Sequence, residues 1–415
     1  MRIAVWHNLP SGGGKRALNA HVRGLLARGH AVDSWCPPTA DPSYLPLSDV
    51  IPERTKPLER VSFEGRTPFT RWIGPYKDMT AKLGAMDRHC RACADEINAG
   101  GYDVLFANSC MFFRTTSIGR HVTIPRLLYL QEPFRWLYEA LPRLPWPALP
   151  AFGPADSSVR YLKRFFRNLA EVQALRIQAR EEVENARSFD TILVNSFFSR
   201  ESVLRAYGIS AKVCYLGVDT NVFVNQQVPR ERFVVGLGAI TPEKGVALAI
   251  DAVSRLTEPR PQLVWIGNMS LASHLEELRR SARSRGVDFQ PKVGIPDKDV
   301  VSLLNRAAVL VYAPRLEPFG FAPLEANACG LPVVAVAEGG VRETVTDGIN
   351  GLLVDEDPGA IARAISRLLD DPAYAARLGL NGSERIKDKW SVDASIDRLE
   401  QRLLELIAGA SRSRL

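Results

Sequence analysis

The chain has 415 residues, 46% hydrophobic and 24% charged, with a formal net charge of +7. That length exceeds one ordinary core, and that composition excludes large-scale disorder, so two globular domains are expected. No run of 18 apolar residues occurs, and the short apolar start Met1-Arg2-Ile3-Ala4-Val5-Trp6 reads as a first strand rather than a secretory leader, so a cytoplasmic protein is expected.

The first half alternates strand and helix. Strands are predicted at 2–6, 31–36, 103–107, 126–130, 191–194 and 212–216, with helices at 15–28, 79–99 and 159–187. The second half repeats the alternation. Strands are predicted at 233–237, 262–266, 287–290, 309–313, 332–336 and 351–354, and helices at 246–256, 272–285, 298–306, 323–329, 358–369 and 373–387. Such alternation implies α/β architecture with parallel sheets covered on both faces. Periodicity lapses between Gly217 and Pro229, where a boundary is expected. The domains are then 1–217 and 218–391. A last amphipathic helix, within 392–415, is expected to pack back on the first domain.

Cysteines at 36, 90, 93, 110, 214 and 329 are dispersed, which argues against a disulfide scaffold. Cys90 and Cys93 form one C-x-x-C on a helix with no second ligand pair, so packing is expected and no metal. Asp355-Glu356-Asp357 has the Asp-x-Asp form of a metal–diphosphate site, but it precedes Pro358 at a helix start, where acids cap well. The basic balance suits phosphorylated ligands and a membrane surface, and no nucleic-acid module is present.

The most informative stretch runs from Pro314 to Glu325. Glu317 and Glu325 stand around the turn Phe319-Gly320-Phe321, the first on the loop after a buried strand and the second in the first turn of the next helix. In an open α/β sheet that crevice is where ligands bind. Glu325 can accept two ribose hydroxyls, or simply cap the helix start; Glu317 can hold a sugar hydroxyl or stabilise charge at an anomeric carbon, although Arg315 is an obvious ion-pair partner. Lys244, just past the first strand of the second half, can reach a diphosphate. Gly12-Gly13-Gly14 follows the first strand and opens a helix, so Gly13 and Gly14 allow close approach of a ligand. Gly339-Gly340 is expected to offer free N–H groups at another helix start, with Glu343 a helix-turn carboxylate. Together these parts suit a site for a sugar, a ribose and a diphosphate, and so a nucleotide-sugar-dependent transferase. Gly236-Leu237-Gly238 lacks the ribose-binding acid of a dinucleotide site.

In order along the chain, Gly12-Gly13-Gly14, Asn195-Ser196-Phe197-Phe198-Ser199, Pro242-Glu243-Lys244-Gly245, Glu317-Pro318-Phe319-Gly320, Leu324-Glu325-Ala326 and Gly339-Gly340-Val341-Arg342-Glu343 resemble the retaining glycosyltransferases of glycosyltransferase family 4. The resemblance implies a GT-B fold of two Rossmann-like, doubly wound domains facing a central cleft. It implies a UDP- or GDP-sugar donor, retention at the anomeric carbon, and no metal or other cofactor. It implies ribose binding by Glu325, sugar contact by Glu317 and diphosphate binding by Lys244, with Phe319, Gly320 and Phe321 in the donor site. Two departures stand out. Ala239 occupies the place of a usual diphosphate-binding arginine, leaving Arg315 and Lys292 as candidate replacements. Gln131 stands where a histidine is usual; it cannot take a proton but can hydrogen-bond a hydroxyl. A non-catalytic relative is the alternative reading; an epimerase or a dehydrogenase ranks below it.

Residues 134–167 interleave aromatics (Phe134, Trp136, Tyr138, Trp146, Phe152, Tyr161, Phe165, Phe166) with bases (Arg135, Arg143, Arg160, Lys163, Arg164, Arg167) against Glu139 and Asp156. That mixture suits either a domain-edge insertion packed on itself or an anionic membrane surface at the inner face, with a glycan or lipid-linked acceptor.

Overall fold

The computed structural model describes residues 1–60, 73–139, 144, 146–151, 153 and 158–412. The chain divides into two compact units. One comprises Met1–Val194, Arg200–Lys212 and Glu400–Leu415; the other comprises Asn195–Ser199 and Val213–Leu399.

The first part of the chain runs β1 (Arg2–Asn8), α1 (Gly13–Ala27), β2 (Ala31–Cys36), β3 (Glu53–Thr55), α2 (Gly74–Ala99), β4 (Val104–Cys110), α3 (Ile118–His121), β5 (Arg126–Gln131), α4 (Arg135–Tyr138), α5 (Ser158–Arg187), β6 (Thr191–Val194), α6 (Phe197–Tyr207) and β7 (Lys212–Val213). Its sheet has the order β3-β2-β1-β4-β5-β6-β7. The second part runs β8 (Phe233–Leu237), α7 (Val246–Ser254), β9 (Gln262–Gly267), α8 (Ala272–Ser284), β10 (Phe289–Val293), α9 (Asp297–Arg306), β11 (Val309–Tyr312), α10 (Phe321–Ala328), β12 (Val333–Val336), α11 (Val341–Thr344), β13 (Gly351–Val354), α12 (Pro358–Asp370) and α13 (Pro372–Arg385). Its sheet has the order β10-β9-β8-β11-β12-β13, parallel at each pairing. A final helix, α14 (Val392–Arg412), closes the described chain.

Each order reverses once, between β1 and β4 and between β8 and β11. Those are the switch points at which an open α/β sheet leaves a crevice at its carboxyl edge. The strands beside the second switch point are apolar without interruption: β11 is Val-Leu-Val-Tyr and β12 is Val-Val-Ala-Val, buried throughout. Helices on both faces allow such runs. Val246, Ile250 and Val253 of α7 and Ile361, Ile365 and Leu368 of α12 supply the covering layer of that core.

Three expectations shift. Glu53-Arg54-Thr55 forms an edge strand that lacks an apolar run and so carries no periodic signal. α2 starts at Gly74 rather than 79. The π-turn Ile386–Trp390 ends the helix predicted at 373–387. From Glu400 onward α14 belongs to the first unit, where Arg28 Nη1 donates to Glu400 Oε2 at 2.7 Å and His30 Nε2 lies 2.6 Å from Oε1. Among the described residues no helix is long and apolar enough to cross a membrane.

Trp265 locks β9 to the β8 loop, its indole Nε1 donating to Gly238 O at 2.9 Å. A Cβ at Gly236 would strike the Trp265 ring. Gly236→Ala is therefore expected to lower stability by about 1–3 kcal/mol, read as a lower urea midpoint at unchanged slope.

Candidate functional site

In the second unit, Lys244 follows β8 and Glu317 follows β11, the two strands that flank the switch point. Lys244 Nζ donates to Glu317 Oε2 at 2.6 Å. Gly245 explains how Lys244 gets there. Its φ is 72°, and a Cβ would collide with the Ala313 carbonyl at the end of β11. Only glycine lets the turn after β8 press against the neighbouring strand in that left-handed conformation. The lysine stem lies over Gly238, whose hypothetical Cβ would sit 3.7 Å from Lys244 Cδ.

The loop carrying Glu317 is held at several points. Leu316 takes a φ of 47°, a conformation that costs a non-glycine residue energy. Its N–H donates to Glu338 Oε2 at 3.2 Å, and Arg315 N donates to Glu243 O at 2.9 Å. Gly340 N donates to Glu317 O at 2.8 Å. Cβ atoms at Gly339 and Gly340 would strike the backbone of Glu317 and Pro318. The paired glycines thus support the Glu317 loop, and the Gly340 N–H expected to be free is already bonded. Ser196 Oγ donates to Pro318 O at 2.5 Å, and Ser199 N donates to Ser196 Oγ at 2.9 Å.

Glu325 sits in the second turn of α10, not the first, and is 8% exposed. Capping therefore does not explain it. Tyr312, at the end of β11, joins the two carboxylates. Burial, the charges of Glu317 and Glu325, and a hydrogen bond to Glu317 push its phenol well above the usual range. Gly320, at φ 94°, turns the chain into α10. Phe321 begins that helix half-buried, whereas Phe319 is turned inward against Phe321 and Trp390, with centroids 5.2 and 5.8 Å away. Phe319 therefore supports the turn from inside.

Arg315 does not pair with Glu317; Nη2 donates to Glu356 Oε2 at 2.6 Å. Lys292 is exposed on the edge strand β10, and Ala239 is half-buried after β8. Asp357 caps α12, its Oδ1 accepting from Ala360 N at 2.7 Å. Glu343 accepts from Phe197 N and Phe198 N, both at 3.0 Å, and from the Tyr215 hydroxyl at 2.9 Å. That is a fuller structural duty than a helix-turn carboxylate.

In the first unit, Gly13 and Gly14 open α1 after Gly12, whose φ is 138°. Gln131 ends β5 at φ 64°, where the pairing to β6 slips by one residue. A bulge of this kind re-aims a side chain. It brings the Gln131 amide to Gly14, whose hypothetical Cβ would lie 3.1 Å from Nε2. Lys15, the next residue, is 1% exposed. Burial lowers its pKa, opposed by the charges of Glu53, Cys36 and Asp41. His7 Nε2 lies 2.9 Å from Glu53 Oε1, and burial lowers the imidazole's pKa, so the neutral ring donates. His7, Cys36 and Glu53 each offer a metal-ligand atom within 4.8 Å of the others. Lys15 already sets a positive charge against Glu53 there. This cluster escapes sequence reading because β3 does. Cys90 and Cys93 are buried in α2, with Cys93 Sγ 3.5 Å from His89 Nε2. Burial pushes the Cys90 thiol up to about 12 and raises Cys93 as well.

Two Rossmann-like sheets, each with one such switch point, have the α/β architecture of the GT-B fold. Solved structures share the fold over nearly the whole chain. A sucrose-phosphate synthase from Thermosynechococcus elongatus matches at TM-score 0.71 and 20% identity, covering 98% of this chain and 99% of that one. HepE of Anabaena, solved with UDP and glucose, matches at 0.68 and 18%, covering 97% and 99%. Residues 218–385 match the model of the family described as glycosyl transferases group 1. Among curated relatives, a GDP-mannose-dependent alpha-(1-6)-phosphatidylinositol monomannoside mannosyltransferase from Mycolicibacterium smegmatis is 33% identical over 54% of this chain and 64% of its own length. An alpha-1,3/1,6-mannosyltransferase from Dictyostelium discoideum is 28% identical over 49% and 58%. The chain thus spans about three-fifths of the curated relatives it matches.

Removing the Glu343 carboxylate strands two helix-start N–H groups and a phenol. Glu343→Ala is expected to lower stability by about 1.5–3 kcal/mol, seen in the thermal transition.

Proposed function

We propose that the protein transfers a hexose from a UDP- or GDP-sugar to a glycan or lipid-linked acceptor, with retention and without a metal. It would work in the cytoplasm, at the inner face of the membrane. The observation that carries this reading is the Lys244–Glu317 pair at the carboxyl ends of the strands flanking the second switch point. Glu325 lies close enough for both carboxylates to act on Tyr312. The group 1 family match over 218–385 and the mannosyltransferase relatives support the choice of donor.

In this reading the donor's diphosphate takes over the Lys244 ammonium. Glu317 is then released to bind a sugar hydroxyl and to face the positive charge developing at the anomeric carbon. Glu325 accepts the ribose hydroxyls. The bond from anomeric carbon to diphosphate oxygen breaks as the acceptor oxygen bonds on the same face. The acceptor's proton passes to the departing diphosphate. Gln131 and the amides of Gly13 and Gly14 orient substrate through hydrogen bonds. A non-catalytic sugar-nucleotide binder is the second reading, favoured by Ala239 and Gln131 in place of an arginine and a histidine.

Release of UDP or GDP from a panel of sugar nucleotides tests the proposal. Lys244→Ala and Glu317→Ala should each cut kcat by about 10²–10³ in the fold-stable protein; turnover like the native chain's in both would overturn the assigned roles. Glu325→Ala should chiefly raise the donor's Kd, measured by the thermal shift it produces. Turnover should also be unchanged by EDTA, and a loss restored by a divalent cation would overturn metal independence. Binding without turnover in the native chain would favour the second reading.

A further inference from the structure

The helix α5 is 30 residues long, but it buries a side chain only from Ala170 onward. No side chain between Ser158 and Leu169 is buried. These twelve residues form about three turns, an extension of about 18 Å. Val159 is 64% exposed and Leu162 51%, with Phe165, Phe166 and Leu169 exposed beside them. At about 100° per residue these five fall within an arc of about 120°, the width of an apolar helix face. Arg160, Lys163, Arg164 and Arg167 fall on the flank next to it, and no acidic residue lies between Ser158 and Ala170. Arg167 Nε donates to Glu171 Oε1 at 3.0 Å, the nearest acid along the helix.

The neighbouring segment carries the same character. Tyr161 Oη donates to Pro150 O at 3.3 Å, and Trp146 Nε1 donates to Leu137 O at 3.3 Å. Trp136, on α4, is 52% exposed, and Trp146 is exposed as well. Phe152, Arg143 and Asp156 lie outside the described residues.

We propose that the first three turns of α5, with Trp136 and Trp146, dock on an anionic lipid bilayer surface. A helix with an apolar arc and a basic flank lies in the plane of such an interface, its apolar face in the headgroup–acyl boundary and its cations at the phosphates. Tryptophan suits the same depth because its ring is apolar and its N–H polar. A second copy of this chain fits the surface less well. An antiparallel two-fold contact through the apolar arc of α5 would bring the basic flanks of both copies to the same side, like charge beside like charge. This sharpens the membrane placement proposed above, yet it stands apart from turnover, because lipid binding can be read without it.

The test is sedimentation of the full chain with phosphatidylcholine vesicles, with and without phosphatidylserine, at low and high salt. Binding to the anionic vesicles at low salt, weakened by salt, is expected. Arg160→Gln with Lys163→Gln should lower the partition coefficient about five-fold per base removed. Leu162→Ser with Phe166→Ser should abolish binding, while circular dichroism and the thermal transition match the native chain. Because these residues lie outside the donor site, both variants should release UDP or GDP from the donor at the native rate. The proposal is overturned if the native chain does not sediment with anionic vesicles. It is also overturned if the folded double variants bind equally well, or if the native chain is a concentration-dependent dimer that those variants dissolve.

Discussion

One ion pair organises the second unit's carboxyl edge. Lys244 and Glu317 come from loops after β8 and β11, strands that are neighbours in space but separated in sequence by β9, β10 and three crossovers. Each charge is partly withdrawn from water, the side chains being 29% and 16% exposed. Breaking such a pair costs more than its mutual attraction, since either partner alone remains a poorly solvated charge. A site that receives a diphosphate, as proposed for this one, would benefit from that arrangement. The ammonium is already positioned and partly desolvated, so little reorganisation accompanies the arrival of an anion.

The surrounding structure is largely a frame for that pair. Gly245 brings the lysine turn against Ala313, and Gly339 and Gly340 press on the backbone of Glu317 and Pro318. Ser196 and Glu338 bond to the same loop from two further segments. Leu316 in a left-handed conformation is what this restraint sustains. Strain of this kind persists only where neighbours over-determine the backbone, and it gathers at working loops. The first unit shows the same economy on a smaller scale. A one-residue slip beside β5 turns Gln131 toward Gly14, where a regular strand would have sent it elsewhere.

Charge is also settled locally in ways that residue type alone does not reveal. Arg315 stands two residues from Glu317, yet its partner is Glu356, on the loop after β13. Glu343, one helical turn beyond the paired glycines, serves the start of α6 and the Tyr215 hydroxyl. Lys15 is buried among Glu53, Cys36 and His7, a cluster assembled because β1, β2 and β3 are adjacent and in register. On the basic flank of α5 the cations stay exposed, because that part of the helix has not yet reached its core.

The amino-acid sequence by itself determined the α/β class, most strands, and the order of the chemistry-bearing motifs. Apolar runs such as Val309-Leu310-Val311-Tyr312 and glycines at strand ends are local signals, and local signals survive in one dimension. It also marked Lys244, Glu317 and Glu325 as a set. Which carboxylate meets which cation was decided only by tertiary structure, because sheet order is a matter of long-range pairing. Nearness in sequence favoured Arg315 for Glu317, whereas the β8–β11 neighbourhood selected Lys244. The polar edge strand β3 and the bulge at Gln131 were likewise decided in three dimensions. Neither has a periodic pattern of its own, and both exist because a neighbouring strand supplies the partner groups.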